Sequence, residues 1–177
     1  MLQRLATFLR HLWLDESDTR RSIGPAVLER LRQKVAASEA LHSGEIRIFV
    51  EASLPASYLW RHIAQAVPMA VLTRQRALMM FSKLGVWDTA HNNGVLIYLL
   101  MAEHKIELIA DRGIHAVVGA REWELMVTRM AQAFAAGQYE EGLVRAVDEV
   151  SAPLTRYFAV QPQGDNRNEL PDQPMLG

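Results

Sequence analysis

DTAHNNGVLIYLLMAEHKIELIADRG, residues 88–113, decides how this chain folds. A polar cluster of Asp88, His91, Asn92 and Asn93 opens the run, and a second, Asp111-Arg112-Gly113, closes it. Between them, residues 94–101 are apolar at every position. A strand without polar alternation is covered on both faces, so this one is expected at the centre of a sheet. Residues 105–110, KIELIA, form a returning strand after a tight turn at Glu103-His104. Strands joined by so short a turn run antiparallel. The hairpin therefore brings the two polar clusters together at one edge of the sheet, where 94–101 begins and 105–110 ends.

Upstream, EIRIFVE alternates: Ile46, Ile48 and Val50 fall on one face, Arg47, Phe49 and Glu51 on the other. That is a strand. Helices separate it from 94–101, which predicts a parallel pair with a right-handed crossover. Glu45 and His42 then lie at the same edge as the polar clusters, with Glu51 and His104 at the opposite end.

The helices read from apolar spacing. Gly24-Pro25 begins one, with Pro suited to the first turn; Leu28, Leu31 and Val35 form its stripe, and Ser43-Gly44 ends it. Pro55 and Pro68 bracket a short helix around Tyr58 to Ala66, and helical spacing returns from Thr73 to Leu84. Trp123, Met126, Val127, Met130 and Phe134 give a clean stripe. Gly137 breaks the chain, and a last helix carries Leu143, Val147, Val150 and Leu154. Pro153 is expected to kink or restart it, because proline removes a backbone donor.

At the N-terminus, Leu2, Leu5, Phe8, Leu9, Leu12 and Trp13 predict an amphipathic helix over 2–13. It is expected to dock on its own domain or to self-associate with another copy; the alternative is contact with a membrane surface. Three segments follow: 1–23, the N-terminal helix and a linker; 24–160, an α/β domain; and 161–177, a disordered polar tail rich in Pro and Gly. With 177 residues, there is room for one domain with a real core.

A formal net charge of −1 gives no attraction to nucleic acid, and none is expected as a partner. The chain has no cysteine, which excludes disulfides, thiolate catalysis and Cys-ligated zinc. Arg4, Arg10 and His11 interrupt the N-terminal apolar residues, unlike a secretory signal. No window reaches the roughly 18 apolar residues of a membrane span. The expected location is cytoplasmic, with a peripheral membrane position as the alternative.

No P-loop, GxGxxG or Gly-x-Ser-x-Gly pattern appears. The polar clusters are the candidate site. Asn92-Asn93-Gly94 reads first as a structural turn, and Asp111-Arg112 as an ion pair and helix cap. As a site, Asp88, Asn92, Asn93 and Asp111 offer oxygen ligands to a hard cation, Ca²⁺ or Mg²⁺, with Glu45 and His91 as further donors.

Several motifs agree in order: Asn93-Gly94 leading into the apolar strand, Asp111-Arg112-Gly113-Ile114 ending the returning one, Trp123, and FAAGQYEEGL over 134–143. Together with SGEIRIFVEA, they make residues 24–160 resemble the TPM domain family. The resemblance implies a three-layer α/β/α sandwich, here with a small mixed sheet plus the N-terminal helix. It also implies diverse functions, since members are reported as acid phosphatases, Ca²⁺ binders and assembly or modulating factors for membrane complexes. Against the commoner layout, the chain is expected to have neither a secretory signal nor a C-terminal membrane anchor. Two functions are therefore expected. The first is a non-enzymatic interaction module for a protein partner of a membrane-associated complex. The alternative is a divalent-cation-dependent phosphomonoester hydrolase, with Asp88 and Asp111 holding the cation and Arg112 pairing with phosphate.

Overall fold

The computed structural model describes residues 2–160 and 167–177, with the side chains of all of these except 2, 3 and 5. Helices α1 (Leu2–Trp13), α2 (Glu16–Ser22) and α3 (Pro25–Glu39) precede strand β1 (Ile46–Glu51). Helices α4 (Ala56–Ala64) and α5 (Met69–Lys83) lead to the hairpin of β2 (Val95–Leu100) and β3 (Lys105–Ala110). Helices α6 (Arg112–Val117), α7 (Ala120–Ala135) and α8 (Tyr139–Phe158) follow, and a two-residue strand, β4 (Met175–Leu176), ends the chain.

The strand order is β3-β2-β1-β4. β1 and β2 are parallel, with Ile46 opposite Val95, and β2 and β3 are antiparallel, with Val95 opposite Ala110. Both pairings follow the expected topology. All six residues of β2 are buried. Val95, Ile97 and Leu99 face one apolar cluster with α3, α7 and α8 residues such as Leu31, Met130 and Val147. Leu96, Tyr98 and Leu100 face a second, with Leu59 of α4 and Leu72 and Met80 of α5. Two helical layers on one small mixed sheet make the α/β/α sandwich.

Several expectations need correction. Residues 14–23 are not a linker. Asp15 caps α2: its carboxylate accepts from Ser17 N at 2.7 Å, and Asp18 returns a bond to Asp15 N at 3.0 Å. This is a capping box with Asp in the place usually taken by Glu. Thr19 and Ile23 are fully buried, so the segment belongs to the core. The expected disordered tail is also wrong for residues 167–177; residues 161–166 lie outside the described residues. Here β4 runs parallel to β1, with Phe49 opposite Met175. Gly177 N donates to Val50 O, and Gly177 O accepts from Ala52 N, both at 2.9 Å. Composition misleads at this point because the segment needs little core of its own: β1 supplies the hydrogen-bond partners. Finally, α8 is not restarted at Pro153 but runs unbroken from Tyr139 to Phe158.

Helix α1 docks on its own domain and contacts α4. Its anchor is polar. His11 is buried; its Nδ1 accepts the Leu54 N–H at 3.1 Å, which leaves Nε2–H to point at Glu103 Oε1, 3.2 Å away. Arg10 also bonds Glu103. A helix held by a buried histidine is part of the domain rather than a detachable arm.

Candidate functional site

The two polar clusters meet at the end of the sheet where β2 begins and β3 ends. Gly113 N donates to Asn92 O at 2.7 Å, and Asp111 N to Gly94 O at 2.9 Å. The glycines make this approach feasible. A Cβ on Gly113 would stand 2.6 Å from both the Asn92 and His91 carbonyl oxygens, and one on Gly94 would stand 2.0 Å from Val86 O. Asn92 takes a left-handed conformation, φ +52°, which asparagine tolerates better than most side chains.

Each candidate residue has a definite place. Asn93 is fully buried and staples three segments: its backbone N–H reaches Thr89 Oγ1 at 3.1 Å, and its Nδ2 reaches Ser43 Oγ at 3.2 Å. Asn92 Oδ1 lies 3.4 Å from an Arg112 guanidinium nitrogen. Asp111 caps α6, its Oδ1 accepting from Arg112 N at 2.7 Å. Its Oδ2 is buried and has no partner among the described residues. Asp88 and His91 are exposed on the turns before β2. Among the described residues, no group of three or more His, Asp or Glu side chains stands close enough to hold a metal ion. The hairpin thus brings Asn92, Asp111 and Arg112 together in a mainly structural junction, with one carboxylate oxygen left over.

Glu45 turns elsewhere. Its carboxylate accepts the N–H groups of Glu169 and Leu170, each at 3.1 Å, and so clamps the C-terminal segment. Burial raises its pKa, while these two N–H groups pull it down. Beside it lies a cluster that the sequence reading missed. Glu39 of α3 accepts from Ile46 N at 2.7 Å and shares a side-chain hydrogen bond with Asp172. Burial pushes its carboxyl up to about 9; the Ile46 N–H opposes this, and Glu45 and Asp172 add to it. Arg47 reaches Gln173 O at 3.1 Å, and its buried Nε has no partner among the described residues. His42 is buried between Ser38 Oγ at 2.9 Å and Gly44 O at 3.0 Å, and burial lowers its pKa.

At the opposite end of β1, Glu51 accepts from Tyr98 Oη at 2.6 Å and from the Arg76 guanidinium. Glu51 and Tyr98 are buried, Arg76 is partly so, and the three satisfy one another, which is what a stable polar group at the rim of a core requires. The signal for both clusters was a charge on an otherwise apolar strand, Arg47 and Glu51. Their partners come from α3, α5 and the last residues of the chain, which sequence spacing does not connect.

The remaining features lie on the surface. Leu9, Leu12 and Trp13 of α1 are exposed, as are Trp60 and Ile63 of α4. No helix among the described residues is long and apolar enough to cross a membrane.

Comparison with known proteins adds to this picture. The family model for the TPM domain matches residues 17–152. Among solved structures, the fold is similar to that of the BA42 protein from the psychrophilic bacterium Bizionia argentinensis, determined by NMR. The TM-score is 0.70 at 24% sequence identity, covering 86% of this chain and 93% of that one. No curated protein matches.

Proposed function

Because the chain belongs to the TPM domain family, we propose that it is a non-enzymatic interaction module that docks a protein of a membrane-associated complex through α1 and α4. The observation that carries this reading is the pair of exposed tryptophans on two helices in contact, Trp13 at 82% and Trp60 at 60% exposure, with Leu9, Leu12 and Ile63 beside them in sequence. Single exposed apolar residues are ordinary, whereas several on touching elements mark an interaction surface. Tryptophan is also the side chain most enriched among binding hot spots. The His11 anchor presents α1 in a fixed orientation, which lowers the ordering cost on binding.

The test is the double variant Trp13→Ser, Trp60→Ser in the full chain. Both side chains are exposed, so the fold should survive. Retention of proteins from a detergent extract of membranes should fall sharply, because losing a hot-spot aromatic costs on the order of 2 kcal/mol or more. Protein-free lipid vesicles serve as the control. Vesicle binding lost in the variant would reassign the surface to lipid. Unchanged retention would sink the reading.

The unpartnered Oδ2 of Asp111 favours a second reading, hydrolysis of a phosphomonoester with Ca²⁺ or Mg²⁺. Asp111 and Asp88 would hold the cation, which polarises a phosphoryl oxygen when bound. Arg112, which is exposed, would pair with the phosphate. Burial of Oδ2 weighs against it, as does the lack of a third acid nearby among the described residues. Phosphatase activity lost both with chelator and in Asp111→Asn would establish it.

A further inference from the structure

The sheet has a second edge, β3, with which no described strand pairs on its outer side. Asp111 N bonds Gly94 O, one step beyond the β2–β3 register. Antiparallel ladders alternate, so the main-chain groups of Glu107 and Ile109 face β2, and those of Ile106, Leu108 and Ala110 face outward. One outward group is engaged: an Arg74 guanidinium nitrogen lies 2.7 Å from Leu108 O.

This edge floors a cleft of about 640 Å³ between α5 and α7. Leu78 and the α7 residues Trp123 and Val127 supply apolar walls. The Trp123 indole N–H is buried and has no acceptor among the described residues. Glu107 pairs with Arg74 at 3.1 Å, whereas the carboxylate of Glu124 in the same cleft is exposed and makes no such pair among the described residues.

We propose that the cleft binds an extended segment of another protein by strand addition to β3, with apolar side chains against Trp123 and Val127 and a lysine or arginine against Glu124. Outward-facing N–H and C=O groups in alternation are complementary to a strand and to little else. Six residues of β3 span roughly 20 Å at about 3.3 Å per residue, so a six- to eight-residue segment fits. The unpaired Glu124 selects for positive charge. A second copy fits less well, because pairing β3 with β3 would bring two Arg74 side chains together at the seam. The other edge of the same sheet already accepts an extended chain, the protein's own β4. The proposal does not depend on the α1–α4 surface.

The probe is a capped octapeptide in which serine alternates with valine or lysine, so that valine and lysine share the face toward α7, titrated into the ¹⁵N-labelled full chain with amide hydrogen exchange read by NMR. The amides of Ile106, Leu108 and Ala110 should slow at least about tenfold on saturation. In Glu124→Lys, affinity for this peptide should fall roughly tenfold, and a valine–glutamate peptide should bind in its place. A peptide N-methylated at alternate residues should not bind, because its ladder donors are gone. No slowing of these three amides at about 1 mM peptide, an affinity limit for any useful contact, would overturn the proposal. So would undiminished binding of the N-methylated peptide. Protection of the same amides that grows with protein concentration alone would also overturn it, in favour of a second copy.

Discussion

The two edges of this sheet face the same problem and meet it differently. An edge strand exposes unpaired donors and acceptors that invite another chain. At β1 the chain closes its own edge. Residues 169–177 lie along it through main-chain bonds from Gly177 to Val50 and Ala52, the Glu45 carboxylate on two N–H groups, and Arg47 on Gln173 O. At β3 the cover is one half-exposed arginine on one carbonyl. The closed edge recruits buried ionisable groups, Glu39, Glu45 and Arg47, and with them a dependence on pH. The open edge keeps its charges in solvent and leaves main-chain groups available. An edge covered by main chain is structure, while an edge covered by a side chain remains available for binding.

The largest expected effect lies between the edges. Leu99→Ala in β2 removes a fully buried side chain and should cost about 2–5 kcal/mol in denaturant unfolding. A loss under about 1 kcal/mol would mean that β2 is not the shared centre on which both edges depend.

The closed edge should carry a pH signature. The Glu39 carboxyl is raised from 4.5 to about 9, so between those values the folded state binds the extra proton. Stability therefore falls as pH rises through that window and is greatest below it. Thermal melts from pH 5 to pH 9 should show this decline, and Glu39→Gln should flatten it. A decline of equal slope in Glu39→Gln would remove the acid cluster from the account of the closed edge.

The smallest effects give the most direct contrast. Glu45→Ala strips acceptors from two N–H groups of the C-terminal segment and should cost about 1–3 kcal/mol, with faster exchange of the Gly177 amide. Arg74→Ala removes an exposed pair and should cost about 0–1 kcal/mol. Equal costs at the two sites would erase the distinction between structural and available edges.

Much of this was legible in the sequence. The unbroken apolar run of 94–101 placed β2 at the centre, and the short turn at Glu103-His104 placed Asn92 beside Asp111. Gly113 and Asn93-Gly94 were visible as motifs, but the reason for them, backbone packed within clashing distance of any Cβ, was not. The sequence reading weighed Asn93 as a metal ligand, while the structure shows it bonded to Ser43 and Thr89, residues no local pattern ties to it. The capping box of α2 was present in Asp15 and Asp18 but hidden by the use of Asp where Glu is usual.

Periodicity and turn chemistry are local, and the sequence alone determined what they govern: most of the helices, though not α2, the three main strands, their parallel and antiparallel pairing, and the family. Only the tertiary structure decided how distant segments share hydrogen bonds. It turned an apparent polar tail into β4, because the outer groups of β1 needed partners that hydrophobicity does not encode. It drew Glu39 and Glu45 together beside Asp172, where burial above all raises the proton affinities of the two glutamates, an effect that no stretch of sequence contains. And it left the outer side of β3 without a partner strand among the described residues, since an edge strand and a central strand of the same residues differ only in what lies beside them.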